Sequence, residues 1–285
     1  MSRGTLVLVA TPIGNLGDLS RRAVEALASA DAIACEDTRR TGRLLEHAGI
    51  GHPERPPLVM VNDHTEARRV RDVLARLERG ERVAVVTDAG TPGISDPGER
   101  LVRAASAAGH TVEVVPGPSA AIAGLVASGL PTGRFCFEGF LPRKGSGRGE
   151  RLNALAVEPR TVVLYEAPHR LVRTLHDLVD ALGGGRAVAV ARELTKLHEE
   201  VWRGTLSGAL SWAEAAQPKG ELVLVVAGAP DEVPASDDEV ASALRAELAR
   251  GATTRDASAA VARRLGVAKR RAYDLATRSS STHAS

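Results

Sequence analysis

The sequence predicts an α/β fold with mostly parallel strands, built as two domains and followed by a small helical module. Short apolar or β-branched runs alternate with helical patterns along most of the 285 residues, and this alternation is typical of strands joined by crossover helices. A chain of 285 residues is longer than a usual single domain. The hydrophobic share of 44% and the charged share of 25% are ordinary for a globular protein.

Nine segments have the pattern of strands, and helices are predicted between them. The strand segments are residues 5–10, 32–35, 58–61, 83–87, 111–115, 135–138, 161–165, 187–191 and 221–227. Helical spacing is clearest at Val70, Val73, Leu74 and Leu77, which follow the i, i+3, i+4, i+7 rule. The predicted domains are residues 1–116 and 117–229, followed by a helical module at 237–278 and a disordered tail at 279–285.

The turn TDAGTPGISDPG at residues 87–98 is the most informative segment. Asp96 is predicted to cap the next helix, with Pro97 as its first residue. A strand, a Gly-rich turn and a helix start are typical of a nucleotide-type pocket at the carboxyl edge of a sheet. The turn has no Lys or Arg and no phosphate-loop spacing, so we expect a cleft without cations that binds an uncharged nucleoside rather than a triphosphate.

Two other turns, at residues 117–120 and 166–170, also place proline near a helix start just past a strand. All three turns are predicted to line one crevice, although proline is also simply favourable at the first helical position. Residues 10–18 follow a strand too but lack the dinucleotide fingerprint, which argues against a nicotinamide or flavin site. Polar segments 36–40, 62–64 and 192–196 are either functional or serve as caps and surface ion pairs.

Metal and membrane sites are not expected. The eight histidines are scattered without ligand spacing, and Cys35 and Cys136 lie in apolar contexts typical of core residues. No apolar run approaches the length of a membrane helix, and the chain enters its first strand without a signal-peptide pattern. We therefore expect a cytoplasmic protein.

The charge of the chain is uneven. Residues 245–278 hold nine basic and three acidic residues, a net charge of +6, which leaves −4 for the rest of a chain whose total is +2. Such a basic block indicates a polyanionic partner, or alternatively a solvated helical face. The Gly-rich segment at residues 143–149 is predicted to be a mobile basic loop. The helices of the last module, separated by Gly266, suggest a helix-turn-helix.

Seven ordered motifs carry a family resemblance. They are VATPIGNLGDLS (9–20), CEDTR (35–39), TDAGTPGISDPG (87–98), VPGPSA (115–120), YEAPHR (165–170), ARELTKLHEE (191–200) and GELVLV (220–225). From about residue 5 to residue 228 the chain resembles the ribosomal RNA small subunit methyltransferase I family of the tetrapyrrole methylase superfamily.

The resemblance implies a homodimer of two α/β domains that binds S-adenosylmethionine in the cleft between them. It also implies 2′-O-methylation of a cytidine in the decoding region of 16S rRNA. The superfamily pattern of cofactor contacts falls on Ile13, Thr91, Ile94, Ser119, Ala120, Ala191 and Glu221, with Leu164 or Tyr165 at a strand end. The surrounding turns add Pro12, Asp88, Gly90 and Pro92.

The catalytic base and the RNA contacts are less closely defined. Glu36, Glu166 and Lys196 all remain candidates for the base. RNA contacts are expected from eight cations: Arg143, Lys144, Arg148, Arg263, Arg264, Lys269, Arg270 and Arg271. Because aromatic residues make up only 2% of the chain, phosphate and shape recognition should dominate over base stacking. The alternatives are a small-molecule tetrapyrrole methylase and a non-enzymatic RNA-binding assembly factor.

Overall fold

The computed structural model describes residues 4–61, 66–230 and 235–281. They form two compact units, Met1–Ala229 with both β-sheets and Pro230–Ser285 with three helices. The polar segment at residues 62–64 lies outside the described residues. The division of the first unit into domains at residue 116 stays a prediction.

The strands and helices are numbered in the order in which they occur along the chain. The strands are β1 (Thr5–Val9), β2 (Ala32–Cys35), β3 (Leu58–Met60), β4 (Arg82–Val86), β5 (Thr111–Val115), β6 (Phe135–Phe140), β7 (Thr161–Glu166), β8 (Ala187–Arg192), β9 (Glu200–Thr205) and β10 (Leu222–Val226). The helices are α1 (Arg21–Ala28), α2 (Thr38–His47), α3 (Glu66–Glu78), α4 (Glu99–Ala107), α5 (Ala120–Ser128), α6 (Ser146–Ala156), α7 (Pro168–Leu182), α8 (Leu206–Ala216), α9 (Asp237–Ala249), α10 (Thr254–Arg264) and α11 (Lys269–Ser281).

The first sheet is entirely parallel, in the order β3-β2-β4-β1-β5. Its central strands are buried on both faces, which explains their continuous apolar sequences. Because all five strands run the same way, their carboxyl ends meet at one edge. The loops that leave those ends are therefore neighbours.

The second sheet is mixed, so the prediction of mostly parallel strands holds for the fold as a whole but not within this sheet. Its order is β6-β7-β10-β8-β9, and only β6 and β7 are parallel. The antiparallel β10 brings its amino end beside the carboxyl end of β7, where Leu222 pairs with Glu166. Strand β9, which the sequence pattern missed, is a half-polar edge strand paired only with β8.

Helix α5 packs closely against the second sheet. Its buried residues Ala121 and Leu125 belong to an apolar cluster that includes Val163 and Val223. At Gly124 the backbone of α5 lies so close to the Val223 side chain of β10 that an added Cβ would be 2.7 Å from Val223 Cγ1. Glycine is therefore required there, and this close packing fixes the amino end of α5.

The three predicted C-terminal helices are confirmed. Val240, Leu244 and Val261 are buried in the apolar core of this unit. The predicted cap of α10 is also present, because Thr253 Oγ1 accepts the Asp256 amide at 3.2 Å. Helix α11 extends to Ser281, residues 282–285 lie outside the described part of the chain, and the disordered tail stays a prediction.

One predicted helix start and one predicted loop are also corrected. Helix α4 begins at Glu99 rather than at Pro97, because the turn folds back on itself and the Gly93 amide donates to the Pro97 carbonyl at 3.2 Å. Gly98, with φ 136°, then leads into the helix without a side-chain cap. The segment at residues 143–149 is loop only as far as Gly145, since α6 starts at Ser146.

Arg148 stabilises this region from inside. Only 5% of its surface is exposed. Its guanidinium donates to Asp177 at 2.7 Å, to the Thr174 hydroxyl at 3.0 Å and to the Pro142 carbonyl at 2.8 Å. These bonds hold α6, α7 and the loop between β6 and α6 together. Removing the guanidinium would break three hydrogen bonds, one of them to a buried hydroxyl and one to a carboxylate.

We therefore expect Arg148→Ala to lower the free energy of unfolding by about 2–3 kcal/mol, measured by urea denaturation. Arg143→Ala is the matched control, because Arg143 is exposed on the loop just before α6 and should change stability by less than about 0.5 kcal/mol. Equal losses in the two variants would contradict a structural role for Arg148.

Candidate functional site

The three proline-containing turns line one cleft in the first unit, as predicted. The cleft encloses a cavity of about 360 Å³, within the range of small-molecule sites. Its wall includes residues 88–91 and 94–96 from the first turn, Ser119 and Ala120 from the second, and residues 166–168 from the third. The carboxyl ends of β4, β5 and β7 therefore supply most of the site.

Hydrogen bonds between the turns hold the cleft in shape. The backbones of Thr11 and Gly90 pair reciprocally at 2.9 and 3.1 Å. The Thr11 hydroxyl donates to the Thr87 carbonyl at 3.2 Å. The Thr91 hydroxyl donates to the Pro118 carbonyl at the same distance. The loop after β1 and the turns after β4 and β5 thus form one connected rim.

Asp88 has an unusual electrostatic environment. Its Oδ2 lies 3.3 Å from Arg40 Nη1, whereas Oδ1 is buried and has no hydrogen-bond partner among the described residues. Burial raises the pKa of Asp88, which Arg40 lowers and Asp37 raises, and the net shift is upward. The expectation of a cleft without cations is wrong, because Arg40 lines it.

Nine of the thirteen predicted cofactor residues line the cleft: Ile13, Asp88, Gly90, Thr91, Ile94, Ser119, Ala120, Tyr165 and Glu221. Pro12, Pro92, Leu164 and Ala191 do not. Side chains alternate along a strand, so Leu164 enters the core on the far face of the second sheet while Tyr165 faces the cleft. Tyr165 is therefore a wall residue and Leu164 is not, while contact of either residue with the cofactor stays a prediction.

The three candidate bases lie in different environments, and Glu36 and Glu166 line the cleft whereas Lys196 does not. Glu166 is buried, and its carboxylate accepts the Ala167 amide at 2.9 Å and the Thr174 hydroxyl at 2.5 Å. Its Oε1 also lies 3.2 Å from Arg170 Nε. Glu36 lines the cleft.

Lys196 lies outside the cavity wall and is paired with two carboxylates. Its Nζ is 2.9 Å from both Glu193 Oε1 and Glu221 Oε2. Burial lowers the pKa of Lys196, but the two hydrogen bonds raise it more, so the net shift is upward. The side chain stays an ammonium at neutral pH and orients Glu221, which does line the cleft.

The predicted RNA-binding cations fall into three groups. Arg148 is buried and internally bonded, which corrects its assignment to a free basic loop. Arg264 and Arg271 are paired with Glu247 and Asp237. The other five are exposed, and none has an ion pair within the described residues: Arg143, Lys144, Arg263, Lys269 and Arg270.

Ten wall residues were not among the predicted site residues. Five of them lie within the predicted turns: Ala89, Ser95, Asp96, Ala167 and Pro168. The other five are Arg40, Phe140, Leu194, Leu222 and Val223. Leu222 and Val223 reach the cleft because β10 is antiparallel, which the sequence pattern did not predict. Arg40 and Leu194 lie within polar segments that follow strands, so both could have been predicted as site residues from the sequence. Phe140 lies two residues past the predicted end of β6.

No group of three or more His, Cys, Asp or Glu residues is placed to hold a metal in the described ranges. None of the helices there is long and apolar enough to cross a membrane. Cys35 and Cys136 are free thiols, and burial raises the pKa of each.

Comparisons with known proteins define the family. The sequence profile of the Tetrapyrrole (Corrin/Porphyrin) Methylases matches residues 5–210. "Ribosomal RNA small subunit methyltransferase I" of Synechocystis sp. is 49% identical over 274 residues, which cover 95% of this chain and 97% of that protein.

Solved structures agree with this match. The methyltransferase CobJ has a TM-score of 0.61 at 24% identity, over 80% of this chain and 95% of that one. Uroporphyrin-III C-methyl transferase of Thermus thermophilus, complexed with S-adenyl homocysteine, has a TM-score of 0.53 at 20% identity, over 78% of this chain and 96% of that one. The chain belongs to the tetrapyrrole methylase family and, within it, to the ribosomal RNA small subunit methyltransferase I proteins, and it is an S-adenosylmethionine-dependent methyltransferase.

Proposed function

We propose that this protein transfers a methyl group from S-adenosylmethionine to the 2′-oxygen of a cytidine ribose in the decoding region of 16S rRNA. The observation that carries the proposal is a preformed nucleoside-sized cleft in a chain 49% identical to a ribosomal RNA small subunit methyltransferase I. The proposal includes a homodimer in the cytoplasm, as the family resemblance implies.

The cleft residues fit S-adenosylmethionine. The buried Asp88 Oδ1 has no partner among the described residues, so it can accept a hydrogen bond from a ribose hydroxyl. Gly90 and Ala120 leave room in the wall for a close-fitting nucleoside. Carboxylates at Glu36, Asp96 and Glu221 line the same cavity and favour a cation over a polyphosphate.

The chemistry requires alignment and removal of one proton. Bound S-adenosylmethionine supplies an electrophilic methyl group on a sulfonium. The rigid rim around Thr11 and Gly90 can hold an acceptor hydroxyl in position, which provides several kcal/mol of the barrier reduction. Glu36 is the candidate that would accept the hydroxyl proton, because it lines the cavity and is only half-buried, whereas Glu166 is buried and Lys196 lies outside the cavity wall. General base catalysis contributes roughly 10²–10⁴-fold.

RNA binding is assigned to exposed cations in two parts of the chain. Arg143 and Lys144 precede α6, and Arg263, Lys269 and Arg270 lie at the end of α10 and the start of α11. Cations that already have a carboxylate partner are expected to contribute less, because their charge is partly neutralised before RNA binds.

The direct test is methyl transfer from labelled S-adenosylmethionine to small ribosomal subunits that lack the modification, followed by nucleoside mapping. We expect one label per subunit, recovered as 2′-O-methylcytidine. The Glu36→Gln variant should transfer the label about 10²–10⁴ times more slowly, with a much smaller change in cofactor affinity.

Two results would decide against the proposal. Label appearing on a free tetrapyrrole but not on the subunits would favour the small-molecule methylase. RNA binding without any transfer would favour an assembly factor. A Glu36→Gln rate equal to that of wild type would remove Glu36 as the base and leave the rest of the proposal in place.

Asp88 should make cofactor binding sensitive to pH. Its carboxylate accepts hydrogen bonds best when ionised, and its pKa is raised, so cofactor affinity should start to fall at a higher pH than for an ordinary aspartate. Asp88→Asn should raise the dissociation constant by about 10- to 100-fold and flatten this pH dependence, as measured by calorimetry. Asp72→Asn, on the exposed side of α3, is the control. An acid-sensitive affinity that persists in Asp88→Asn would assign the titration to another group.

The salt dependence of RNA binding should identify the cations that contact phosphates. Arg270 is exposed, whereas Arg271 is held by Asp237 at 2.6 Å. Arg270→Ala should therefore reduce the slope of log K against log salt by about 0.7 to 1, and Arg271→Ala should reduce it less. Filter-binding titrations over a range of salt concentrations measure both slopes. Wild-type affinity that does not change with salt would overturn the electrostatic account.

A further inference from the structure

We propose that the ring of Phe140 is a stacking platform for an unpaired pyrimidine base of single-stranded RNA, the base attached to the ribose that accepts the methyl group. The inference rests on the proposed function and deepens it by assigning a residue that recognises the substrate. It adds one stacking contact to the phosphate and shape contacts that are expected to dominate in a chain with only 2% aromatic residues.

A β-bulge turns Phe140 toward the cleft. Phe137 pairs with Val163, but the next pairs are Gly139 with Leu164 and Phe140 with Tyr165, so β6 has one extra residue. Side chains alternate across a sheet, and without the bulge Phe140 would face away from Phe137. The extra residue places the rings of Phe137 and Phe140 on the same face of the sheet as Tyr165. β-Bulges commonly redirect a side chain in this way.

Gly139 makes the bulge possible. Its φ of 59° lies in the left-handed region that glycine adopts without strain. A Cβ at this position would lie 2.8 Å from Ser95 Oγ, on the turn after β4. The bulge therefore meets the opposite wall of the cleft at Ser95 and fixes where Phe140 emerges.

Phe140 is held in place but remains accessible. Its ring centroid is 5.7 Å from that of Tyr165, which also contacts Phe137 edge-on at 5.0 Å. The Tyr165 hydroxyl accepts the Ala121 amide at 3.1 Å, which ties the aromatic group to the start of α5. Phe140 nevertheless stays 51% exposed, so part of the ring can be covered by a flat partner.

The residues that follow Phe140 are suited to binding the phosphate backbone of the RNA strand that carries this base. The Leu141 carbonyl accepts from Arg170 at 2.6 Å, and the Pro142 carbonyl accepts from Arg148, so the start of this loop is anchored. The exposed cations Arg143 and Lys144 follow directly. An aromatic platform beside cations is the general means of binding single-stranded nucleic acid.

The position of Phe140, rather than its exposure, carries the inference. Single exposed apolar side chains are common on proteins. Phe140, however, lines the same cavity as Asp88 and Glu36, beside the residues assigned to the cofactor and the base. An acceptor ribose in that cavity would bring its own base within reach of this ring.

The test compares Phe140→Ala, Phe140→Leu and Phe140→Trp with wild type. We expect the Ala and Leu variants to raise the KM for small ribosomal subunits, and the dissociation constant of a cytidine-containing RNA oligonucleotide, by roughly 10- to 100-fold. Leu keeps an apolar side chain but removes the flat ring, so it separates stacking from simple burial. The Trp variant should bind close to wild type, and its added fluorescence should be quenched by the oligonucleotide.

The cofactor and folding controls are measured on the same variants. Calorimetric affinity for S-adenosylmethionine should stay within about twofold of wild type, and the thermal midpoints should be similar because Phe140 is half exposed. The native Trp202 and Trp212, whose rings stack 5.7 Å apart in the core on the other face of this sheet, provide the fluorescence baseline.

Two outcomes would overturn the proposal. RNA affinity and KM unchanged in both Phe140→Ala and Phe140→Leu would show that no base stacks there. A tenfold loss of cofactor affinity with unchanged oligonucleotide binding would assign the ring to the methyl donor instead. The proposed function fails separately, if wild-type protein transfers no methyl group to the subunits, and oligonucleotide binding by the variants still reports on stacking in that case.

Discussion

The reciprocal backbone pair between Thr11 and Gly90 is the constraint on which the site depends. Parallel strands bring their carboxyl ends to one edge, but loops at that edge do not form a cavity unless something joins them. Here the pair joins the loop after β1 to the turn after β4, and Thr91 extends the connection to Pro118. Gly90, at φ 87°, adopts a backbone conformation that few other residues tolerate. A cleft joined in this way needs little ordering when a ligand binds.

Charge is arranged so that the cleft and the surface perform different tasks. Inside the cleft, carboxylates outnumber cations, and Arg40 is paired with Asp88. Such a lining suits a sulfonium and disfavours phosphate groups. Exposed cations lie instead on the loop before α6 and on the C-terminal helices. There they can contact a polyanion without placing positive charge beside the cofactor.

Much of the fold and most of the cleft wall could be predicted from the sequence, because apolar periodicity and proline-containing turns are local signals. The nine predicted strands are all present, with small shifts at their ends, and the three turns converge. Strand direction in the second sheet could not be predicted, since it depends on which strands pair rather than on any local pattern. The direction of β10 decided that Leu222 and Val223 would reach the cleft.

Two other wrong or missing predictions also came from contacts distant in sequence, and a third came from a local turn. Arg148 occurs in a Gly-rich basic segment that has the composition of a loop, yet its partners Thr174 and Asp177 lie on α7. Phe140 follows an extra residue whose effect appears only when β6 pairs with β7. Asp96 has the residue type of a cap, but the folded turn before α4 delays the helix.

The antiparallel direction of β10 affects how the acceptor preference of such an enzyme could change during evolution. The connection from α8 to β10 delivers Glu221 to the mouth of the cleft, and Gly220 at φ 92° forms its tight corner. A few additional residues in that connection would reshape the entrance for incoming substrates while every strand kept its partners. Acceptor preference could then drift by changes in loop length alone, at small cost to folding.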